Sequence, residues 1–378
     1  MLWTLVLGPQ DEPWPRHTID ASSRGADGVR VADANGDGRL DVVTAWEEGG
    51  EVRVYLQPEG DALRAPWPRV TVGRVRSPED AVFVDLDGDG GVDVVSSCEG
   101  RERAVYAHWA PAERERLLDP EAWSTAAFPA ARGHAQWMFA EPMDVDGSHG
   151  VDLVIGAKNE GACVAWLEAP AQPRALEQWR LHVIEPAGWI MSLRALERDE
   201  PTLLVSDRRG ERRGVYALQA ERGASGLRWT RQNLLGAEHE VMFLDCARAD
   251  GEGALAVATR DGELLLRDAD GELAYPNPHG HPWGKALRYG DLDLDGDLDL
   301  ALSHRVQGGS SEPGLVWLER TPEGWRPRPL SDAAGKKFDR LELVDLDGDG
   351  DLDLLTTEEV EGLGVVWYEN PLRSPRSR

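Results

Sequence analysis

The chain has 378 residues and 41% hydrophobic content, enough to bury the core of one large β domain or of two ordinary domains. Its formal charge of −27, from 68 acidic against 41 basic residues, argues against nucleic acid and anionic membrane surfaces as partners, because both repel an acidic protein. Its three cysteines, Cys98, Cys163 and Cys246, are too few and too scattered for a disulfide framework and are expected to be free thiols.

The N-terminal MLWTLVLGPQDEP has one short apolar run, no basic residue ahead of it and no small-residue cleavage site, which makes a poor signal peptide. No later stretch approaches a membrane span in length. A cytoplasmic location is the expectation, with secretion or a periplasmic location as the alternative.

In chain order, one acidic phrase then recurs. DANGDGRLDVV starts at Asp33, DLDGDGGVDVV at Asp85, DVDGSHGVDLV at Asp144, DLDLDGDLDLA at Asp291 and DLDGDGDLDLL at Asp345. Two weaker copies fill the gap: LERDEPTLLV from Leu196 and DCARADGEGALAV from Asp245. The six intervals from Asp33 to Asp345 average about 52 residues, which predicts seven structural repeats. Their approximate bounds are 21–72, 73–128, 129–184, 185–235, 236–280, 281–330 and 331–372.

Each unit has the same series of short runs of strand character. A first run precedes the acidic loop (GVRVAD, DAVFVD, RLELVD) and a second follows it (LDVVTA, VDVVSS, LDLLTT). A third is marked by aromatics (VRVYL, CVAWLE, VVWYEN). A fourth opens on tryptophan in most copies, at Trp14, Trp67, Trp123, Trp179, Trp229 and Trp325. Four strands in about 50 residues predict an all-β, seven-bladed β-propeller of four-stranded blades forming a single domain over 1–378. The last repeat stops after its third strand, so the N-terminal strand at 14–19 is expected to complete the C-terminal blade. Most tryptophans then read as blade packing.

The acidic loops join first to second strands. Loop positions one, three, five and nine are Asp33, Asn35, Asp37 and Asp41 in the first unit and Asp85, Asp87, Asp89 and Asp93 in the second. The sixth offers Asp291, Asp293, Asp295 and Asp299, and the seventh Asp345, Asp347, Asp349 and Asp353. Position seven, occupied by Arg39, Gly91, Asp297 or Asp351, adds a carbonyl. Alternating carboxylates on a tight loop suit a hard cation with oxygen ligands, so about four structural Ca²⁺ sites are expected. They would bring the formal charge from −27 to about −19. The third loop, with Asp144, Asp146, Ser148 and Asp152 and an intruding His149, is a weaker candidate. The EF-hand alternative lacks its helical flanks and its glutamate at position twelve.

On these strand, DxDxDG loop, strand units the chain resembles the FG-GAP or VCBS repeat family, the propellers typified by integrin α-subunit heads. The resemblance covers essentially the whole chain. The namesake Phe-Gly is replaced by Gly28-Val29 and Asp80-Ala81, and IGAKNEG from Ile155 is similar to the family's Gly-Ala-Pro stretch. The resemblance implies a propeller with calcium sites and does not imply one activity.

At the end opposite the loops, the residues leading into first strands and out of second strands crowd one axial mouth. Candidate acids and bases there are Glu47, Glu79, Asp80, Glu99, Asp207, Asp339 and Glu358. Lys158, Arg208, Arg260, Lys285 and Lys337 are candidates to orient an anionic or oxygen-rich group, and Trp46, Trp137, Trp189 and Phe338 are candidate walls. His239 and His304 could meet Glu240 or Glu358 to hold a further, catalytic metal, although the only close histidine pair lies in HGHPW, His279 to Trp283. There is no GxSxG elbow and no phosphate-cradling glycine loop.

Such a mouth suits a small-molecule or sugar-like ligand and acid–base elimination, isomerisation or cyclisation without an organic cofactor, that is, a lyase, isomerase or cyclase acting as a monomer. The alternative is a non-catalytic glycan- or protein-binding propeller. A ring of salt bridges plugging the axis is the bland structural reading of the same charges.

Overall fold

The computed structural model describes residues 12–223, 226–268, 271–276, 284–306 and 310–373. They form seven antiparallel sheets of four strands. Each sheet uses strands consecutive in sequence except one, in which the N-terminal strand Arg16–Asp20 pairs with the third strand Gly364–Tyr368. His17 faces Trp367 in that register. A blade buries its faces only against its neighbours, so this pairing completes the seam that an open ring would expose.

Blades are numbered here by their innermost strands: Ala26–Ala32, Pro78–Val84, Gln136–Met143, Ile190–Leu196, Val241–Cys246, Gly284–Gly290 and Phe338–Val344. Second strands such as DVVTAW, DVVSSC and DLLTTE are buried at every position, because blades cover both of their faces. The outermost strands are wetter, as in Arg180–Pro186. Trp67, Trp123 and Trp179 stand just before their outer strands and not within them. Each is buried, with Nε1 donating to the carbonyl of Leu63, Leu117 or Pro173 at 2.8–2.9 Å. Trp229 and Trp325 lie inside their outer strands.

One contact recurs at the loop end. Asp41, Asp93, Asp152, Asp299 and Asp353 open the second strands of five blades and are almost fully buried. One oxygen of each accepts from the amide of the loop's second residue: Ala34, Leu86, Val145, Leu292 or Leu346. The other accepts from an amide at or just past the end of the third strand: Gln57, Ala110, Ala169, Arg320 or Asn370. Each carboxylate thus fastens its loop to two strands. In blades 4 and 5, Thr202 and Leu255 hold the corresponding register positions. The fifth-unit Asp245 is not a loop residue. It lies within the inner strand Val241–Cys246 and faces the axis, so the DCARADGEGALAV frame is shifted from its sequence alignment.

All seven innermost strands carry a register shift near their start, at the end away from the acidic loops. A bulge reverses the in–out alternation, so residues of opposite parity such as Asp27 and Arg30 both face the axis.

Midway along the axis, four arginines and four carboxylates form a belt. Arg30 bonds Asp80 at 2.9 Å and Glu141 at 3.2 Å. Arg194 and Arg288 share Asp245. Arg288 and Arg340 share Glu342 at 2.9 Å. Burial opposes charge on Glu342, but Arg288 and Arg340 outweigh it and hold the carboxyl at about 2. Burial and the like charge of Arg30 bring Arg340 down to about 10.

Because the folded value of Glu342 lies below its ordinary 4.5, its stabilising contribution is full above that pH and is lost as pH falls through about 2. Glu342→Gln is expected to cost roughly 3 kcal/mol or more by stranding two buried guanidiniums. Melting curves taken between about pH 5 and pH 2.5 should therefore show a smaller acid-dependent loss for the variant. An equal loss would contradict the role given to this belt.

Candidate functional site

A cavity of about 420 Å³ opens at the axial mouth opposite the acidic loops. A second, of about 530 Å³, lies on the loop side of the belt. Phe243 borders both, and its edge-to-face contact with Phe139 at 5.8 Å floors the mouth. Met138, Met191 and Met242 add to that floor.

One wall is acidic. Glu47, Glu79, Glu99 and Asp339 line it, together with Asp27. Lys158 binds Glu79 at 2.6 Å and also pairs with Glu99. Lys285 pairs with Asp339, and Lys337 lies 3.6 Å from Asp339 while pairing with Glu359. Burial alone would raise Glu79 and Asp339, but Lys158 for the first and Lys285 with Lys337 for the second hold both below the usual carboxylate range. Asp27 behaves in the opposite way: burial, then the facing Asp339 and Glu79, push it well above the usual carboxylate range. Burial and Glu79 also raise Glu47.

The other wall is cationic. Arg208, Arg209, Arg260 and Arg305 line the cavity with Trp189. The Arg208 and Arg209 guanidiniums lie 4.7 Å from the Trp189 ring centre, and the Lys158 ammonium lies 5.0 Å from it. The indole is thus a cation–π pedestal and not a bare ligand wall. Arg208 and Arg260 converge on Glu240 Oε2 at 3.0 and 3.1 Å. Burial, followed by Arg209 and Arg260, lowers Arg208 despite that carboxylate.

Other residues expected at the mouth sit elsewhere. Asp80 belongs to the axial belt with Arg30. Asp207 is fully buried and accepts from the amides of Gly188, Trp189 and Arg209, which makes it a loop clamp. Glu358 accepts from the amides of Lys336, Lys337, Val360, Glu361 and Leu363 and has the same kind of role. Trp46 and Trp137 are fully buried, with Nε1 donating to Tyr55 Oη and to the Ala131 carbonyl at 2.9 Å. Phe338 is buried against Tyr368 and packs over Gly314 and Gly335.

Among the described residues, the histidines do not assemble a metal centre. His239 bonds Asp261 at 2.9 Å, while His304 is buried in the second strand of blade 6. Among the described residues, no histidine takes part in a convergent set of three ligand atoms. Asp27, Asp339 and Glu359 do converge within 4.8 Å, but Lys285 and Lys337 already supply the positive charge there. HGHPW lies outside the described residues.

Four of the five acidic loops bring three carboxylate oxygens together as a divalent cation requires; the first, with Asp33, Asp37 and Asp41, is not among them. Oxygens of Asp85, Asp87 and Asp93 lie within 4.8 Å of one another, as do those of Asp291, Asp293 and Asp295 and of Asp345, Asp347 and Asp353. The third loop gathers Asp144, Asp146 and Asp152 in the same way. Asp349 Oδ2 and Asp351 Oδ1 are buried without hydrogen-bond partners. Burial pushes Asp353 up to about 8 and Asp93 and Asp299 up to about 7, a cost that a bound cation would offset. In the first loop, Asp33 accepts from Gly36 and Gly38 amides, with Gly38 at φ 87°, and the Arg39 side chain pairs with Asp37.

Sequence reading passed over Arg209, which directly follows Arg208 in DRRG, and Phe139 and Phe243, whose inward aim depends on the bulges. Residues 33–96 match the FG-GAP-like repeat family. No curated protein matches the chain. Two crystal structures of BBS1N in complex with ARL6DN, soaked with mercury and with lead, are similar to it with TM-scores of 0.57 and 0.53. Each is 12% identical and covers 97% of this chain and 98% of its own, a likeness of fold alone. The chain is thus a seven-bladed β-propeller in which residues 33–96 match an FG-GAP-like repeat.

Proposed function

We propose that this chain is a non-catalytic recognition propeller that binds a protein partner at the axial mouth, with calcium in the acidic loops as scaffold. The pairing of the mouth's acids carries the reading. Glu79 and Glu99 are held by Lys158, Asp339 by Lys285, and Glu240 by Arg208 and Arg260. Paired groups of this kind position charge for recognition, whereas a general acid or base must be free to exchange its proton. The similar BBS1N structures, which are complexes with ARL6DN, also favour a protein partner.

One group favours the second reading, acid–base elimination, isomerisation or cyclisation. Asp27 lines the cavity, and burial with the charges of Asp339 and Glu79 raises it well above the usual carboxylate range. The recognition reading expects no turnover from a panel of sugars, sugar acids and hydroxy acids, monitored by NMR. Turnover of any member that is abolished by Asp27→Asn would replace it with the catalytic reading.

In the calcium proposal, Asp85, Asp87, Asp89 and Asp93 hold one ion, and the equivalent residues of the first, sixth and seventh blades hold the others. The ion neutralises carboxylates that burial otherwise drives toward protonation. Ligand linkage of roughly 2–3 kcal/mol per saturated site predicts that a calcium chelator lowers Tm by more than about 5 °C. An unchanged Tm would remove calcium from the account.

A further inference from the structure

Resting on the recognition reading, we propose that the arginine wall of the mouth is the receptor for a carboxylate of the partner, an Asp or Glu side chain inserted from an acidic peptide segment. In a chain of formal charge −27, Arg208, Arg209, Arg260 and Arg305 gather on one side of a single cavity. Arg208 is buried to 8% exposure and already spends Nε and Nη2 on Glu240, leaving Nη1. Arg209, one residue on, has no carboxylate partner among the described residues and is held in place by its stack on Trp189. Two guanidiniums fixed on one indole give planar, fork-like donors that match a carboxylate better than a hydroxyl or an amide.

The acids of the cavity leave the arginines as the place of rest. Glu79 and Glu99 are already paired with Lys158, whose ammonium stands over the same Trp189 ring as Arg208 and Arg209, and Glu47 repels an anion that enters near it. The methionine and phenylalanine floor accepts the methylene stem of the same side chain. A volume of about 420 Å³ accommodates one or two inserted residues of a crossing peptide, not a long glycan.

The test is calorimetry on the full calcium-loaded chain with three probes: an acetylated tetraglutamate amide, its tetraglutamine counterpart and trigalacturonate. The tetraglutamate peptide is expected to bind at least tenfold more tightly than the tetraglutamine peptide. Arg209→Glu, at an exposed position, should weaken it at least tenfold with an unchanged melting curve, and Arg208→Lys should weaken it less. Equal binding of the two peptides, an Arg209→Glu variant of unaltered affinity, or failure of all three probes to bind overturns the inference. Trigalacturonate bound more tightly than the peptide through the same arginines also overturns it, in favour of a sugar acid. Tetraglutamine binding that survives Arg209→Glu but is lost in Met191→Glu overturns the carboxylate and leaves recognition at the mouth standing. Turnover of a ligand at the mouth removes the recognition reading itself.

Discussion

The buried aspartate at the start of the second strand is the contact on which the blades depend. In five of them, one carboxylate ties the acidic loop to the end of the third strand through backbone amides on both sides. A buried carboxylate is tolerated only when its lone pairs are satisfied, and these clamps supply two main-chain amides to each, while Asp93 and Asp353 also converge with the other acids of their loops. The same constraint makes this end of the ring regular, since a clamp of fixed geometry admits little variation.

The opposite end repeats no such clamp from blade to blade, Asp207 and Glu358 holding their own loops in two blades only, and it is irregular. There the first strands bulge in all seven blades, and each lead-in aims a different side chain at the axis. The belt of arginines and carboxylates lines the loop-side cavity, and Phe243, packed on Phe139, borders both that cavity and the mouth. Its ions are matched and fixed within the ring of inner strands. At the mouth the charges are instead separated, lysine-paired acids on one side and stacked arginines on the other, and that separation gives the site a direction.

The repeat and its ring were legible because the clamp leaves a phrase in the sequence: Asp353 and its relatives recur at a fixed distance from the loop's first aspartate. The position of the mouth followed from the loops, and Glu47, Glu79, Glu99, Asp339, Lys158, Lys285, Lys337, Trp189, Arg208 and Arg260 all line it. What failed was side-chain direction. Trp137 and Phe338 flank bulges, where alternation gives the wrong face, and Trp46 belongs to a second strand whose side chains pack between blades. Asp207 and Glu358 looked like free acids because the amides that hold them come from turns the sequence does not spell out. The belt was invisible for another reason: its partners come from different repeats, Arg30 of blade 1 meeting Glu141 of blade 3 and Arg288 of blade 6 meeting Glu342 of blade 7.

Native-state hydrogen exchange at the amides of Ala110, Ala169 and Asn370, the far ends of three aspartate clamps, tests this account most directly. If the clamps hold the blades together, these amides exchange only through global unfolding, and Asp152→Asn releases Ala169 while Ala110 and Asn370 stay protected. Exchange of all three at the rate of the neighbouring surface loops in the unaltered chain would contradict it.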